Sequence, residues 1–142
     1  MRRKYICAMK TIFAICGSTR NDSANARLIQ AIGNFLPEDF VLNIWPNIDQ
    51  IPHFNPDLDS DQQSAPEVVS SFRTVIKTAD AILICTPEYA MGLPGSFKNA
   101  LNWTVSSASL TKKPTWAIVA AVQGEKTFSS LESILQVLEV DP

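Results

Sequence analysis

Two short strings hold most of the polar side chains that could do chemistry in this chain. The first, Gly17-Ser18-Thr19-Arg20-Asn21-Asp22-Ser23-Ala24-Asn25, follows an apolar run and precedes a segment with helical spacing. A helix N-terminus presents unpaired N–H groups and partial positive charge, so it suits a phosphate. Ser18, Ser23 and Asn25 can add donors there, and Arg20 adds a cation. Charge-assisted hydrogen bonds of this kind contribute about 1.5–3 kcal/mol each. The plain alternative is a capping loop whose hydroxyls serve only their own backbone. The second string runs Pro87-Glu88-Tyr89-Ala90-Met91-Gly92-Leu93-Pro94-Gly95-Ser96-Phe97-Lys98-Asn99-Ala100-Leu101-Asn102-Trp103 and also follows an apolar run. A third, shorter one is Val122-Gln123-Gly124-Glu125-Lys126.

Rival chemistries can be tested by spelling. A Walker loop needs Gly, four residues and then Gly-Lys-Ser/Thr, which the chain lacks. A dinucleotide turn needs three spaced glycines, and only Gly17 is present in the first string. A phosphatase cradle would place Arg six residues after a nucleophilic Cys, but Asp22 stands there relative to Cys16. No Gly-x-Ser-x-Gly elbow occurs, and the single histidine, His53, lies outside all three strings. What survives is a monophosphate site. Cys7, Cys16 and Cys85 form no CxxC pair and no Cys/His cluster, so neither a zinc site nor a disulfide framework is expected. Cys16 and Cys85 read as reduced thiols inside apolar runs.

These strings must be positioned by regular elements, and the periodicity supplies them. Thr11 to Cys16 suits a strand buried on both faces. Leu28, Ile32, Phe35 and Leu36 then recur at helical spacing behind a cap at or just before Ser23. Residues 40–45 predict a second strand, and 46–65 a long, polar, Pro-rich surface loop suited to contacting substrates. Pro66 opens a helix with Val68, Val69, Phe72, Val75 and Ile76 on one face. Asp80 to Thr86 predicts a third strand, Ser96 to Trp103 a helix, Pro114 to Ala121 a fourth strand and Phe128 to Leu138 a last helix. Alternating strands and helices imply an α/β fold, a doubly wound parallel sheet. In such sheets ligands bind beyond the carboxyl ends of the strands, which is where all three strings fall.

The first two strings, about seventy residues apart and each after a strand, closely resemble the NADPH-dependent FMN reductase family. That family includes quinone, azo-dye and chromate reductases, and the resemblance extends from Thr11 to the last residue. It implies a flavodoxin-like sheet of order 2-1-3-4, with FMN as cofactor and NADPH or NADH as reductant. It further implies an FMN phosphate held by Ser18, Arg20, Ser23 and Asn25. The isoalloxazine ring would meet Pro87, Glu88, Tyr89, Ala90, Met91 and Gly92, and more weakly Gln123 and Gly124. The implied activity is hydride transfer from nicotinamide to flavin, then electron transfer to a quinone, flavin or similar small acceptor. Such chemistry belongs to the cofactor, so no catalytic acid or base is assigned. Two alternatives are a flavodoxin-type electron carrier without its own NAD(P)H site and a truncated, non-catalytic remnant. Lys98-Asn99 reads as structural or interfacial.

The chain departs from the family pattern at Ala90, where asparagine is common, which suggests one missing side-chain hydrogen bond near the ring. The third string is also poor in glycine. The family's usual fifth strand has no counterpart, so the fourth strand would be an exposed apolar edge with Trp116, Ile118 and Val119 uncovered, or another subunit would take that place. A homodimer or homotetramer is expected from the resemblance, with Trp103 and the 46–65 loop as candidate interface. The 142 residues suit one domain, 1–142, with 1–9 as a disordered leader. Twelve basic and fourteen acidic residues give −2, which provides no field for nucleic acid or anionic lipid. Lys10 interrupts any signal-like apolar run, no stretch is long enough to span a membrane, and the expected location is the cytoplasm.

Overall fold

The computed structural model describes residues 8–60 and 64–142. The expected leader and Cys7 therefore fall largely or wholly outside the described residues. Four parallel strands, β1 (Lys10–Cys16), β2 (Phe40–Ile44), β3 (Ala81–Thr86) and β4 (Thr115–Val119), form one sheet in the order β2-β1-β3-β4. Helices α1 (Ala24–Asn34), α2 (Glu67–Thr78), α3 (Gly95–Asn102) and α4 (Glu125–Val137) alternate with them. This is the doubly wound, flavodoxin-like order expected from the sequence.

Strand alternation divides the core in two. Phe13, Ile15, Ile82 and Ile84 point to one face and pack with Phe72 and Ile76 of α2, Phe97 and Leu101 of α3, and Leu131 and Leu135 of α4. Ala14, Leu83 and Cys85 point to the other face, where, among the described residues, α1 is the one helix that lies over them, through Ile29 and its neighbours. The α1 side is consequently left partly open. An apolar groove of about 460 Å³ runs there between Ile32, Leu36, Leu42, Leu83 and Trp116, toward the amino ends of the strands. Trp116 is 67% exposed, while Ile118 and Val119 are half-buried. Beyond β4, the Thr115 N–H donates to the Asp141 carbonyl (2.8 Å) and the Asp141 N–H to the Lys113 carbonyl (3.1 Å). Asp141 thus makes one parallel bridge, to Pro114, along the outer edge of β4.

Two expectations are corrected. Residues 46–65 are not simply a polar surface loop: Ile48, Ile51 and Ala65 are buried in the main core, and the segment contains single 3-10 turns at Ile48–Gln50 and Pro56–Leu58. Prolines and polar residues dominate its composition and hide the two isoleucines that anchor it. Trp103 is fully buried and therefore cannot present an interface. Its indole N–H donates to the Pro52 carbonyl at 2.7 Å, and its ring packs edge-on against Phe54 at 5.0 Å. Asn99 completes the attachment by accepting from the Phe54 N–H (2.7 Å) and donating to the carbonyls of Ile51 (3.2 Å) and Pro52 (2.9 Å). The asparagine of the Lys98-Asn99 pair is a structural staple between α3 and the segment after β2.

Candidate functional site

The first string begins where β1 is pinched against β3. The Gly17 N–H donates to the Cys85 carbonyl at 2.8 Å, and a Cβ at Gly17 would fall 2.3 Å from Thr86 Oγ1. Only glycine permits the backbones to approach this closely. Ser18 Oγ then accepts from the Arg20 N–H (3.2 Å), closing a short turn. Asp22 takes a left-handed conformation (φ 51°) that carries the chain into α1, and its carboxylate pairs with Arg27 at 3.0 Å on the exposed side. Ser23 is the N-cap expected from the sequence, its Oγ accepting from the Ala26 N–H at 3.0 Å. The N–H groups of Ala24 and Asn25 belong to the first turn, where the helix itself supplies no acceptor.

Ser18, Ser23 and Asn25 are buried polar residues around this turn, whereas Arg20 is exposed and its guanidinium is unpaired among the described residues. Cys85 lies beneath them, its thiol donating to Asn25 Oδ1 at 3.2 Å. Burial pushes the Cys85 thiol up to about 11, with Cys16 beside it adding a smaller push in the same direction. Cys16 faces the same side of the sheet, with its Sγ 3.7 Å from Ser23 Oγ.

The second string forms a tight hairpin. Tyr89 and Gly92 exchange both backbone hydrogen bonds, at 2.9 and 3.1 Å. The two residues between them, Ala90 (φ 50°) and Met91 (φ 63°), are both left-handed, as in a type I′ turn. Asparagine tolerates the left-handed conformation that alanine resists, so the backbone at Ala90 is strained by its own side chain. Ala90→Asn is expected to stabilise the protein by about 0.5–1 kcal/mol, a rise in Tm of about 1–3 °C by calorimetry. No rise, or a fall, would remove backbone strain as the reason.

Tyr89 and Met91 are about half exposed at the hairpin's tip, and the Tyr89 hydroxyl lies 3.4 Å from Ser18 Oγ. The first and second strings therefore meet over the carboxyl ends of β1 and β3. Pro87 is buried at the hairpin's base. Glu88 turns toward the third string: its Oε2 accepts from Thr127 Oγ1 (2.6 Å) and its Oε1 from the Gly124 N–H (3.4 Å). Gly124, left-handed at φ 72°, is the N-cap of α4, so Glu88 places a carboxylate against that helix's amino end. A cavity of about 440 Å³ lies between the second and third strings, lined by Pro87, Glu88, Ala120, Ala121, Val122 and Gln123.

The contacts of Ser18 with Tyr89 and of Glu88 with Gly124 thus link the three strings at the carboxyl end of the sheet, while Arg20 is exposed. The sequence reading missed Thr127, though its place three residues after a capping glycine was a usable signal. It also missed the contacts from Thr86 and Cys85 to the first string, which no local pattern encodes. The donor set is uncharged apart from Arg20 and suits an anionic group. Among the described residues, no group of three or more His, Cys, Asp or Glu side chains could hold a metal ion, and no helix is long and apolar enough to cross a membrane.

Comparison with known proteins matches residues 10–140 to the family described as NADPH-dependent FMN reductase. A 2-hydroxy-1,4-benzoquinone reductase from Burkholderia sp. is 41% identical over 92 residues, covering 65% of this chain and 48% of the relative. A probable NADPH:quinone oxidoreductase 2 from Oryza sativa subsp. japonica is 33% identical over 128 residues, 89% of this chain and 63% of the relative. Among solved structures, FerB, a flavoenzyme NAD(P)H:(acceptor) oxidoreductase from Paracoccus denitrificans, superposes with a TM-score of 0.78 at 29% identity, over 92% of this chain and 73% of that one. The chain spans about half the length of the first of these relatives and under two-thirds of the second.

Proposed function

The chain belongs to the NADPH-dependent FMN reductase family, and from that premise we propose that it binds FMN across its first two strings and acts as an NAD(P)H-dependent oxidoreductase on a small acceptor such as a quinone. The observation that supports this reading is the contact between Ser18 Oγ and the Tyr89 hydroxyl, which sets the hairpin beside the turn that leads into α1. Ser18, Ser23, Asn25 and the first N–H groups of α1 would hold the phosphate, and Arg20 would close over it from the rim. The hairpin, with its two left-handed residues, presents backbone and half-exposed side chains as one wall for the ring. Glu88 fixes that wall to the start of α4 through Gly124 and Thr127. Pro87, Gln123 and the main chain around Ala121 supply the lining between them. The chemistry that FMN supplies when bound is two-electron transfer between a nicotinamide and the acceptor.

The direct test is to titrate the purified chain with FMN and then add NADPH without oxygen. Tight binding followed by loss of the flavin's visible absorption is expected. Failure to bind FMN refutes the reading, and binding without reduction by NADPH or NADH leaves an electron carrier in its place. The phosphate assignment has its own test. Arg20→Ala should weaken FMN binding by roughly tenfold or more, in a salt-dependent manner. Because Arg20 is exposed and its guanidinium has no partner among the described residues, its removal should leave Tm within about 1–2 °C. Unchanged FMN affinity would contradict the assignment.

A further inference from the structure

To hydrogen-bond a phosphate, Asn25 must present the nitrogen of its carboxamide rather than the oxygen. A carboxamide has a donor end and an acceptor end, and rotation by half a turn exchanges them. An oxygen facing the phosphate would repel it. Asn25 lies on the first turn of α1 and is 4% exposed, so what it packs against sets its rotation.

The structure supplies that neighbour from the sheet. Cys85 is fully buried on the β3 face that α1 covers, and its Sγ is 3.2 Å from Asn25 Oδ1. A thiol is a weak donor and a weak acceptor, so it selects the amide's orientation only while it keeps its proton. Its surroundings are apolar: Ala14, Ile29 and Leu83 are in the same cluster, and Cys16 is its register partner on β1. Cys16 is the ionisable side chain whose charge bears on it. Burial holds the thiol protonated throughout the neutral range, since its pKa rises to about 11. A protonated thiol donates to the oxygen, and the amide nitrogen is left to face the other way.

We propose that Cys85 is a positioning residue for the cofactor's phosphate: its S–H holds Asn25 Oδ1 down against the sheet and so turns Asn25 Nδ2 up as an anion donor. The inference rests on the FMN reading and deepens it. Cys85 touches no ligand in this account and acts only through Asn25. It also accounts for a thiol at a position where valine or isoleucine would fill a strand equally well.

The test compares flavins with and without the phosphate. Dissociation constants for FMN and riboflavin are measured by flavin fluorescence with the full chain carrying Asn25→Ala, Cys85→Val, Cys85→Ala or Cys85→Ser. Asn25→Ala should weaken FMN about tenfold and leave riboflavin within about twofold. Cys85→Val and Cys85→Ala remove the donor and should weaken FMN by roughly three- to tenfold, again sparing riboflavin. Cys85→Ser keeps a donor and should stay within about twofold of the parent. In the Asn25→Ala background, Cys85→Val should have no further effect, because the two residues act as one unit. If Cys85→Val lies too close to the folding limit, Cys85→Ala carries the same comparison. Equal losses of FMN and riboflavin, undiminished FMN binding without the thiol, or additive effects in the double variant would each overturn the proposal. If Asn25→Ala itself leaves FMN binding unchanged, the Asn25 phosphate assignment falls. If Asn25→Ala weakens FMN but the Cys85 variants do not, only the positioning role falls.

Discussion

Gly17→Ala is expected to lower stability by about 2–3 kcal/mol and Tm by about 6–10 °C, with loss of tight FMN binding. A methyl at this position would lie 2.3 Å from Thr86 Oγ1, 2.7 Å from Thr86 Cβ and 3.1 Å from Thr86 Cα. The first two separations are closer than real Cβ atoms sustain, and the third brings in backbone, so a side-chain rotation alone does not relieve the clash. Thr86 is fully buried and its hydroxyl donates to the Pro87 carbonyl at 3.2 Å, which leaves it little room to move. The carboxyl ends of β1 and β3 would have to part, against the 2.8 Å bond from the Gly17 N–H to the Cys85 carbonyl. Parting them separates the turn ahead of α1 from the hairpin, so on the proposed reading affinity falls together with stability. Thr86→Ala should rescue the variant only in part, because it removes Oγ1 and leaves Cβ. Thermal unfolding and FMN titration of the single and double variants check this, and a Gly17→Ala protein with unchanged Tm would show that the strand ends are not pinched.

That contact also marks the boundary of what could be read from the sequence. The four strands, the four helices and the cap at Ser23 follow from short-range signals: buried runs for parallel strands, helical spacing, and a hydroxyl ahead of a periodic segment. The sheet order does not: it is implied by the family resemblance. The first and second strings were legible as neighbours at one end of the sheet because each is contiguous and follows a strand. What was not legible depends on register. Whether Gly17 meets Thr86 rather than Cys85 or Pro87, and whether Cys85 lies under Asn25, is decided by pairing Cys16 with Cys85 and by where α1 crosses β3. No spacing within either string carries that information. The 46–65 segment fails for a different reason. Its composition is that of a loop, yet Ile48 and Ile51 reach the core because Asn99 and Trp103, about fifty residues away, hold the backbone between them. Composition averages over such a segment, while burial is decided by two side chains in it.

Glu88 makes contacts that the resemblance does not describe. The resemblance places it against the flavin ring, and it does border the cavity between the second and third strings. Its carboxylate is nonetheless committed to Thr127 and to the Gly124 N–H, across the gap to α4. A carboxylate at a helix N-terminus is favourable in itself. Here it also joins the second string to the third.

The second large effect is expected far from the cleft, at Arg73 on α2. Its guanidinium is almost fully buried and bonds Asp59 Oδ1 at 2.6 Å, Ser106 Oγ at 3.1 Å and the Trp103 carbonyl at 2.7 Å. Ser106 Oγ in turn donates to Asp59 Oδ2 at 2.6 Å. One residue thus ties α2 to the end of the segment after β2 and to the turn after α3, the same segment that Asn99 staples from the other side. Arg73→Met would keep most of the volume but leave the Asp59 carboxylate, whose side chain is 5% exposed, buried without its cation. Breaking a buried pair from one side costs about 3–5 kcal/mol, here a fall in Tm of about 10–15 °C. Replacing both partners should cost less than the sum of the two single changes, because most of the penalty comes from the orphaned charge and not from the lost attraction. The guanidinium's Nη1 has no partner among the described residues, so the pair is already short of full satisfaction and its net contribution is smaller still. Urea unfolding of Arg73→Met, Asp59→Asn and the double variant measures this coupling directly. Additive losses would mean that Arg73 and Asp59 stabilise the fold independently, and the account of this network as a single clamp would have to be given up.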